Sequence, residues 1–166
     1  MGTRGRGAFK VAITKEDLVF AAAHFITFAG HRCEKLHGHN YRASLVVEGG
    51  LEKGSWFVVD FSAVKKVMRS LTAELDHRVL LPRDNPQLEI SEENGSVRVA
   101  FAGQPRYLFP AGDCVILPIP NTTVEMLAQY LAGRVRAELG SVRLKTIEIE
   151  VEENFGQSAS YREDLD

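Results

Sequence analysis

Two cysteines in 166 residues, Cys33 and Cys114, are too few for a disulfide framework. The chain is therefore expected in a reducing, cytoplasmic setting, where a special cysteine is reactive rather than bridged. Charge of one sign is also lacking. Twenty basic and 22 acidic side chains leave a formal net charge of -2, with no global attraction to nucleic acid or to an anionic membrane. No apolar run approaches the roughly 20 residues needed to span a bilayer. Proline and glycine, at 6 and 14 residues, fall far short of collagen-like or low-complexity composition. What remains is an ordinary globular composition, 45% hydrophobic and 25% charged, with enough residues to bury a core without staples.

The pattern along the chain reads as residues 1–9, a basic flexible tail, followed by one domain over 10–166 with an insertion at 82–120. Lys10–His24 suits a strand, Phe25–Leu36 a loop, and His39–Glu48 a second strand before Gly49-Gly50. Ser55–Asp60, with Trp56-Phe57-Val58-Val59, predicts a third strand. Val64, Val67, Met68, Leu71 and Leu75 recur at helical spacing, with Ser62 as the expected N-cap and an end near Asp76-His77. Inside the insertion, Asn94-Gly95 between two β-rich runs predicts a hairpin. Tyr107–Phe109 and Cys114–Leu117 add further short strands. Thr122-Thr123-Val124-Glu125 has the spacing of a capping box and opens a second helix that Gly140 stops. Ile147, Ile149 and Val151 alternate with Glu148, Glu150 and Glu152 in the last strand. Strict alternation then carries Glu153 onto the apolar side, where a carboxylate is expensive unless something binds it. This order predicts an α+β fold, an antiparallel sheet covered by helices on one face.

Three of the five histidines can converge. His37 and His39 share a face if their segment is extended, and His24, ending the preceding strand, can return alongside. Three neutral imidazoles without a fourth protein ligand form the pattern of a catalytic zinc site with an open position. The plainer alternative makes His37 and His39 half-buried strand residues bonded to carbonyls. Cys33 lies four residues before His37, and beside a dication and basic groups its thiol would ionise readily, as a base or nucleophile. Cys114 fits better as a small buried hydrophobe. In Asp76-His77 the carboxylate can fix the imidazole tautomer; alternatively, His77 simply favours a helix end.

Cys33-x-x-x-His37-Gly38-His39-Asn40-Tyr41, with His24 upstream, Leu75-Asp76-His77 after the first helix, Thr123-x-Glu125 and Glu153, resembles the 6-pyruvoyltetrahydropterin synthase / 6-carboxytetrahydropterin synthase family. The resemblance implies a tunnelling (T-fold) protomer: a four-stranded antiparallel sheet with two helices, in trimeric barrels stacked as a homohexamer. It implies zinc on His24, His37 and His39, with Cys33 as acid/base assisted by His77 and Asp76. Glu153 would anchor the pterin and join the proton relay, and Thr123 would add a contact. The implied substrate is 7,8-dihydroneopterin triphosphate, and the three-residue gap between Cys33 and His37 resembles the 6-carboxy branch. That branch forms 6-carboxy-5,6,7,8-tetrahydropterin, a precursor of 7-deazaguanine (queuosine-type) bases, and releases acetaldehyde and triphosphate. Glu34 occupies the Glu-x-x-His-Gly-His position of a third branch, which cleaves the side chain to 6-hydroxymethyl-dihydropterin; a solvated loop carboxylate is the alternative. The pyruvoyl product and a non-catalytic pterin binder are the remaining readings. Arg32, Lys35 and Arg42 are candidate cations for a triphosphate.

Overall fold

The computed structural model describes residues 8–14, 18–30, 32–140 and 143–165; most of the expected N-terminal tail lies outside them, and Phe9 already begins a strand. Five strands come first: β1 (Phe9–Ile13), β2 (Val19–His24), β3 (Thr27–Phe28), β4 (Arg32–Cys33) and the long β5 (His37–Gly49). Helix α1 (Phe61–Leu75) leads to β6 (Arg78–Pro82), and then to β7 (Leu88–Glu93), β8 (Ser96–Phe101), β9 (Gln104–Pro110) and β10 (Cys114–Leu117). Helix α2 (Val124–Glu138), β11 (Leu144–Asn154) and β12 (Gln157–Asp164) complete the order.

The sheet is larger than the expected four antiparallel strands, and it is mixed: five strands are joined antiparallel and reach the β12 edge. Seven strands run β10-β6-β2-β5-β11-β12, with β1 sharing an edge of β5 with β2. Pairings among β1, β2, β5, β11 and β12 are antiparallel, whereas β6 joins β2, and β10 joins β6, in parallel. Re-entry after a helix does not set the direction: β6 follows α1 and joins β2 in parallel, whereas β11 follows α2 and joins β5 antiparallel.

Both helices cover one face of this sheet. Val64, Met68, Leu71 and Leu75 of α1 and Leu127, Ala128, Leu131, Ala132 and Val135 of α2 pack against Phe20, Tyr41, Ala43, Leu45, Val47, Ile147, Ile149 and Val151. The inward residues of β5 and β11 are those that strand alternation selects. Val124, expected in the buried stripe, is only partly covered.

The structure corrects three local expectations. Ser55–Asp60 forms no strand: Gly54 and Trp56 adopt positive φ, 103° and 60°, and the Trp56 N–H donates to the Glu52 carbonyl at 3.1 Å. That turn uses a hydrogen bond that a strand would spend on pairing, although Val58 and Val59 still enter the core. Ser62 is not the cap of α1; Asp60 is, its carboxylate accepting the Ser62 N–H at 2.7 Å. The cap of α2 is Thr123 rather than Thr122, accepting from Met126 N–H at 3.4 Å, so Glu125 lies one place short of closing a box.

Within residues 82–120, β10 joins β6 of the large sheet, whereas β7, β8 and β9 form a separate three-stranded antiparallel sheet. Asn94 and Gly95 make its expected hairpin at φ 51° and 75°, both left-handed as a type I′ turn requires. This sheet buries a second apolar cluster, Phe25, Leu81, Leu88, Val97 and Val99, with Cys33 and Tyr107 packed against it. No helix among the described residues is long and apolar enough to cross a membrane.

Replacing Asp60 by Ala removes the acceptor for the first turn of α1 and is expected to cost about 1 kcal/mol. Ser62→Ala should cost far less. Urea denaturation of the two variants distinguishes the assignments.

Candidate active site

The site forms where the helix-covered face runs out at one end of the sheet. In the register of β2 on β5, Phe20 pairs with Tyr41, Ala22 with His39 and His24 with His37. Phe20, Ala22 and His24 therefore share a face with His37, His39 and Tyr41. Gly38, between the two β5 histidines, would bring a Cβ to 3.2 Å from the Ala22 carbonyl oxygen; a side chain there would push β2 off β5.

His24 is fully buried. Its Nδ1 lies 2.8 Å from the carbonyl oxygen of Thr122, so that nitrogen carries the proton and donates it. Its Nε2 is buried without a hydrogen-bond partner among the described residues. Burial, opposed by the Thr122 bond and reinforced by His37 and His39, pushes its pKa down to about 4, which leaves a neutral ring with a bare lone pair. His37 repeats the arrangement closer to solvent, with Nδ1 2.9 Å from the Lys35 carbonyl oxygen. The ring centroids of His24–His37, His24–His39 and His37–His39 are 4.6, 5.3 and 5.0 Å apart. One ligand atom from each of the three rings lies within 4.8 Å of the others, close enough to hold one metal ion. In His24 and His37 the Nδ1 is bonded to a carbonyl, which leaves Nε2 to face such an ion.

Glu153 reaches this cluster, with Oε2 3.9 Å from His39 Nε2. It sits at the irregularity where the β11–β12 register shifts between Glu152 and Asn154. Tyr41 lies beneath, edge-on to His24 and His39 at 5.9 and 5.6 Å and stacked on Phe20 at 4.9 Å. Its buried hydroxyl has no hydrogen-bond partner among the described residues, and burial together with the Glu153 charge pushes the phenol upward.

Glu34 stands at the mouth, Oε2 4.0 Å from His37 Nε2. Cys33 packs against the second cluster, its Sγ 3.5 Å from the Glu34 carbonyl oxygen. Burial pushes its thiol up; Arg106 pulls it down and Glu34 pushes it further up. Asp76 and His77 form a pair, Oδ2 to Nδ1 2.9 Å, with the imidazole 82% exposed. The Ala21 N–H first, and His77 second, hold the Asp76 carboxyl below the usual range. His77 itself is anchored by its N–H on the Ala21 carbonyl at 2.6 Å. Ala21 is three residues, about 10 Å, from His24 along β2. No hydrogen bond, ion pair or ring contact among the described residues joins His77 to Cys33, to Glu153 or to the three imidazoles. Thr123 serves as a helix cap. Arg32 lies over Phe28, and Arg42 over Phe155 while pairing with Glu152.

The profile of the family described as 6-pyruvoyl tetrahydropterin synthase matches residues 12–164. The chain belongs to this family. A Methanocaldococcus jannaschii protein provisionally named 6-carboxy-5,6,7,8-tetrahydropterin synthase is 32% identical over 152 residues, 90% of this chain and 92% of that protein. The Pyrococcus furiosus dihydroneopterin monophosphate aldolase is 44% identical over 71 residues, 42% of this chain and 59% of that enzyme. Among solved structures, the Plasmodium vivax 6-pyruvoyltetrahydropterin synthase is similar at a TM-score of 0.87 and 30% identity, over 96% of this chain and 99% of that one. Two of its structures carry alanine or cysteine in place of a glutamate described as catalytic.

Within this 6-pyruvoyl tetrahydropterin synthase family member, sequence reasoning missed the residues that support the site from a distance. Thr122 orients His24 through its carbonyl and also donates its hydroxyl to the Phe25 carbonyl at 3.0 Å. Its only sequence signal is the helix start. Arg106 and Tyr107 contact the Cys33–Leu36 segment from more than 70 positions away, and nothing local marks them. Tyr41→Phe removes a buried hydroxyl that bonds to nothing described, so thermal unfolding should change by less than about 0.5 kcal/mol. A loss above about 2 kcal/mol would mean that a water or Glu153 holds that hydroxyl.

Proposed function

We propose that this chain converts 7,8-dihydroneopterin triphosphate and one water to 6-carboxy-5,6,7,8-tetrahydropterin, releasing acetaldehyde and triphosphate. The observation that carries this reading is the cluster of three convergent imidazoles, with Glu153 beside it and the Cys33–Glu34 loop at its mouth. Neutral nitrogen donors without a fourth protein ligand suit zinc. His24, His37 and His39 would hold it; the bound metal would supply a Lewis acid toward the substrate's side-chain oxygens.

The protein's own groups account for the rest. Glu153 can accept two N–H bonds from the 2-amino group and ring nitrogen of a pterin, a bidentate contact that also relieves its half-buried charge. Cys33, its thiol held protonated by burial, is suited to deliver a proton to a side-chain carbon and take one back. Asp76 keeps the His77 tautomer fixed for exchange with that thiol, but among the described residues of one chain no contact joins the pair to it. A neighbouring copy must bring it there, which favours the homohexamer, a dimer of trimers, over an isolated protomer. The lyase is read as cytoplasmic.

A second reading rests on Glu34. Its carboxylate lies near His37 and can take the proton of the second side-chain hydroxyl, so that the carbon–carbon bond breaks, a phosphorylated two-carbon aldehyde leaves, and the carbon left on the ring takes a proton to give 6-hydroxymethyl-dihydropterin. The likeness to a dihydroneopterin monophosphate aldolase supports it.

Incubation with dihydroneopterin triphosphate and zinc, followed by pterin chromatography and an acetaldehyde assay, separates these outcomes. The 6-carboxy product with acetaldehyde is expected. A 6-hydroxymethyl product favours the second reading, and absence of turnover by the zinc-loaded protein overturns both. Cys33→Ala is expected to lower turnover by about 10²–10⁴-fold, the usual worth of an acid/base group, with zinc content unchanged. Co-expressed Cys33→Ala and His77→Ala chains should regain activity in mixed assemblies; no recovery would place both groups in one protomer.

A further inference from the structure

The segment that joins Cys33 to His37 has no strand partner of its own at residues 34–36, yet its polar backbone is held from several sides. The Glu34 N–H donates to the Ile26 carbonyl at 2.9 Å. Arg106 Nη2, on β9, donates to the carbonyl oxygens of Cys33 and Glu34 at 3.3 and 2.5 Å. The Lys35 carbonyl is taken by His37 Nδ1. The Leu36 N–H donates to the Tyr107 hydroxyl at 3.1 Å. Two adjacent side chains of the insertion thus account for three of the bonds on this segment.

Those two side chains are themselves well fixed. Tyr107 packs against Phe25 at 5.2 Å and stacks on Phe109 at 5.4 Å. The Arg106 guanidinium lies over the Tyr107 ring at 5.2 Å. The ring wall rests on the same apolar cluster that Cys33 packs against. Further strapping ties this wall to the strand end: Asn85 donates to Thr27 Oγ1 at 2.7 Å and Gln87 to the Phe28 carbonyl at 3.3 Å. The insertion is therefore a back wall to the loop.

We propose that Arg106 and Tyr107 are positioning residues: from the inserted sheet they hold the Cys33–Leu36 backbone so that Cys33 and Glu34 face the substrate and the Lys35 carbonyl keeps His37 oriented. This rests on the reading of the site as a pterin lyase. Both carbonyls are served by one guanidinium nitrogen, Nη2, while the planar group lies over the Tyr107 ring; a lysine ammonium lacks that flat, stacking face. The cation is also the one group near Cys33 that favours its thiolate.

Tyr107→Phe keeps the ring packing and loses only the hydroxyl, so it should fold with an unchanged melting temperature. Its kcat should fall about three- to tenfold, the worth of one hydrogen bond, with KM within about twofold. Arg106→Gln should fall further, and Arg106→Lys should recover only part of the loss. A second readout needs no substrate: the pH dependence of Cys33 alkylation by iodoacetamide, followed on its own peptide so that Cys114 does not interfere. Its midpoint should rise in Arg106→Gln and stay near the wild-type value in Arg106→Lys. If the wild-type protein turns over no pterin, the lyase reading fails while the alkylation midpoints still test the clamp. Wild-type kcat in Tyr107→Phe together with an unmoved midpoint in Arg106→Gln would overturn the proposal.

Discussion

His24 stands opposite His37 because β2 and β5 pair in one register, with Phe20 across from Tyr41 and Ala22 across from His39. A slip of one residue would turn His24 to the other face of the sheet and send Phe20 out of the core. The apolar pairings therefore fix the polar ones. Phe20 and Tyr41 are both fully buried and stacked, so the register that satisfies the hydrophobic face also brings the imidazoles together one turn of the pleat beyond it. Gly38 lets the two backbones approach at that point.

A buried imidazole nitrogen with no partner is costly in a folded chain. The protein offsets part of that cost at the other nitrogen, through the carbonyl of Thr122 at the start of α2. This ties His24 to the helix layer as well as to the sheet. The remaining nitrogen is kept unprotonated by its surroundings, which is the condition a metal ligand needs. Glu153, brought alongside where the β11–β12 register shifts, places a carboxylate next to otherwise neutral donors.

The central strands, both helices and the Asn94-Gly95 hairpin were legible because each has a local signature: alternation, helical spacing, capping residues, or a turn dipeptide. The histidines were legible for the same reason, since strand parity alone puts His37 and His39 on one face. Ser55–Asp60 misled because its β-rich side chains say nothing about the positive φ at Gly54 and Trp56. The parallel edge formed by β6 and β10 escaped because nothing local tells in which direction a returning strand joins the sheet. Thr122, Arg106 and Tyr107 act on the site through backbone carbonyls and amides, and such contacts leave no residue pattern at either end. The Asp76-His77 motif was visible, but its separation from Cys33 is a fact of three-dimensional placement only.

The imidazoles of His24 and His39 stand beside Tyr41 of the larger apolar cluster, and Cys33 packs against the smaller one. Substitutions in the small sheet can reset the pose of the reacting loop without reopening the main core.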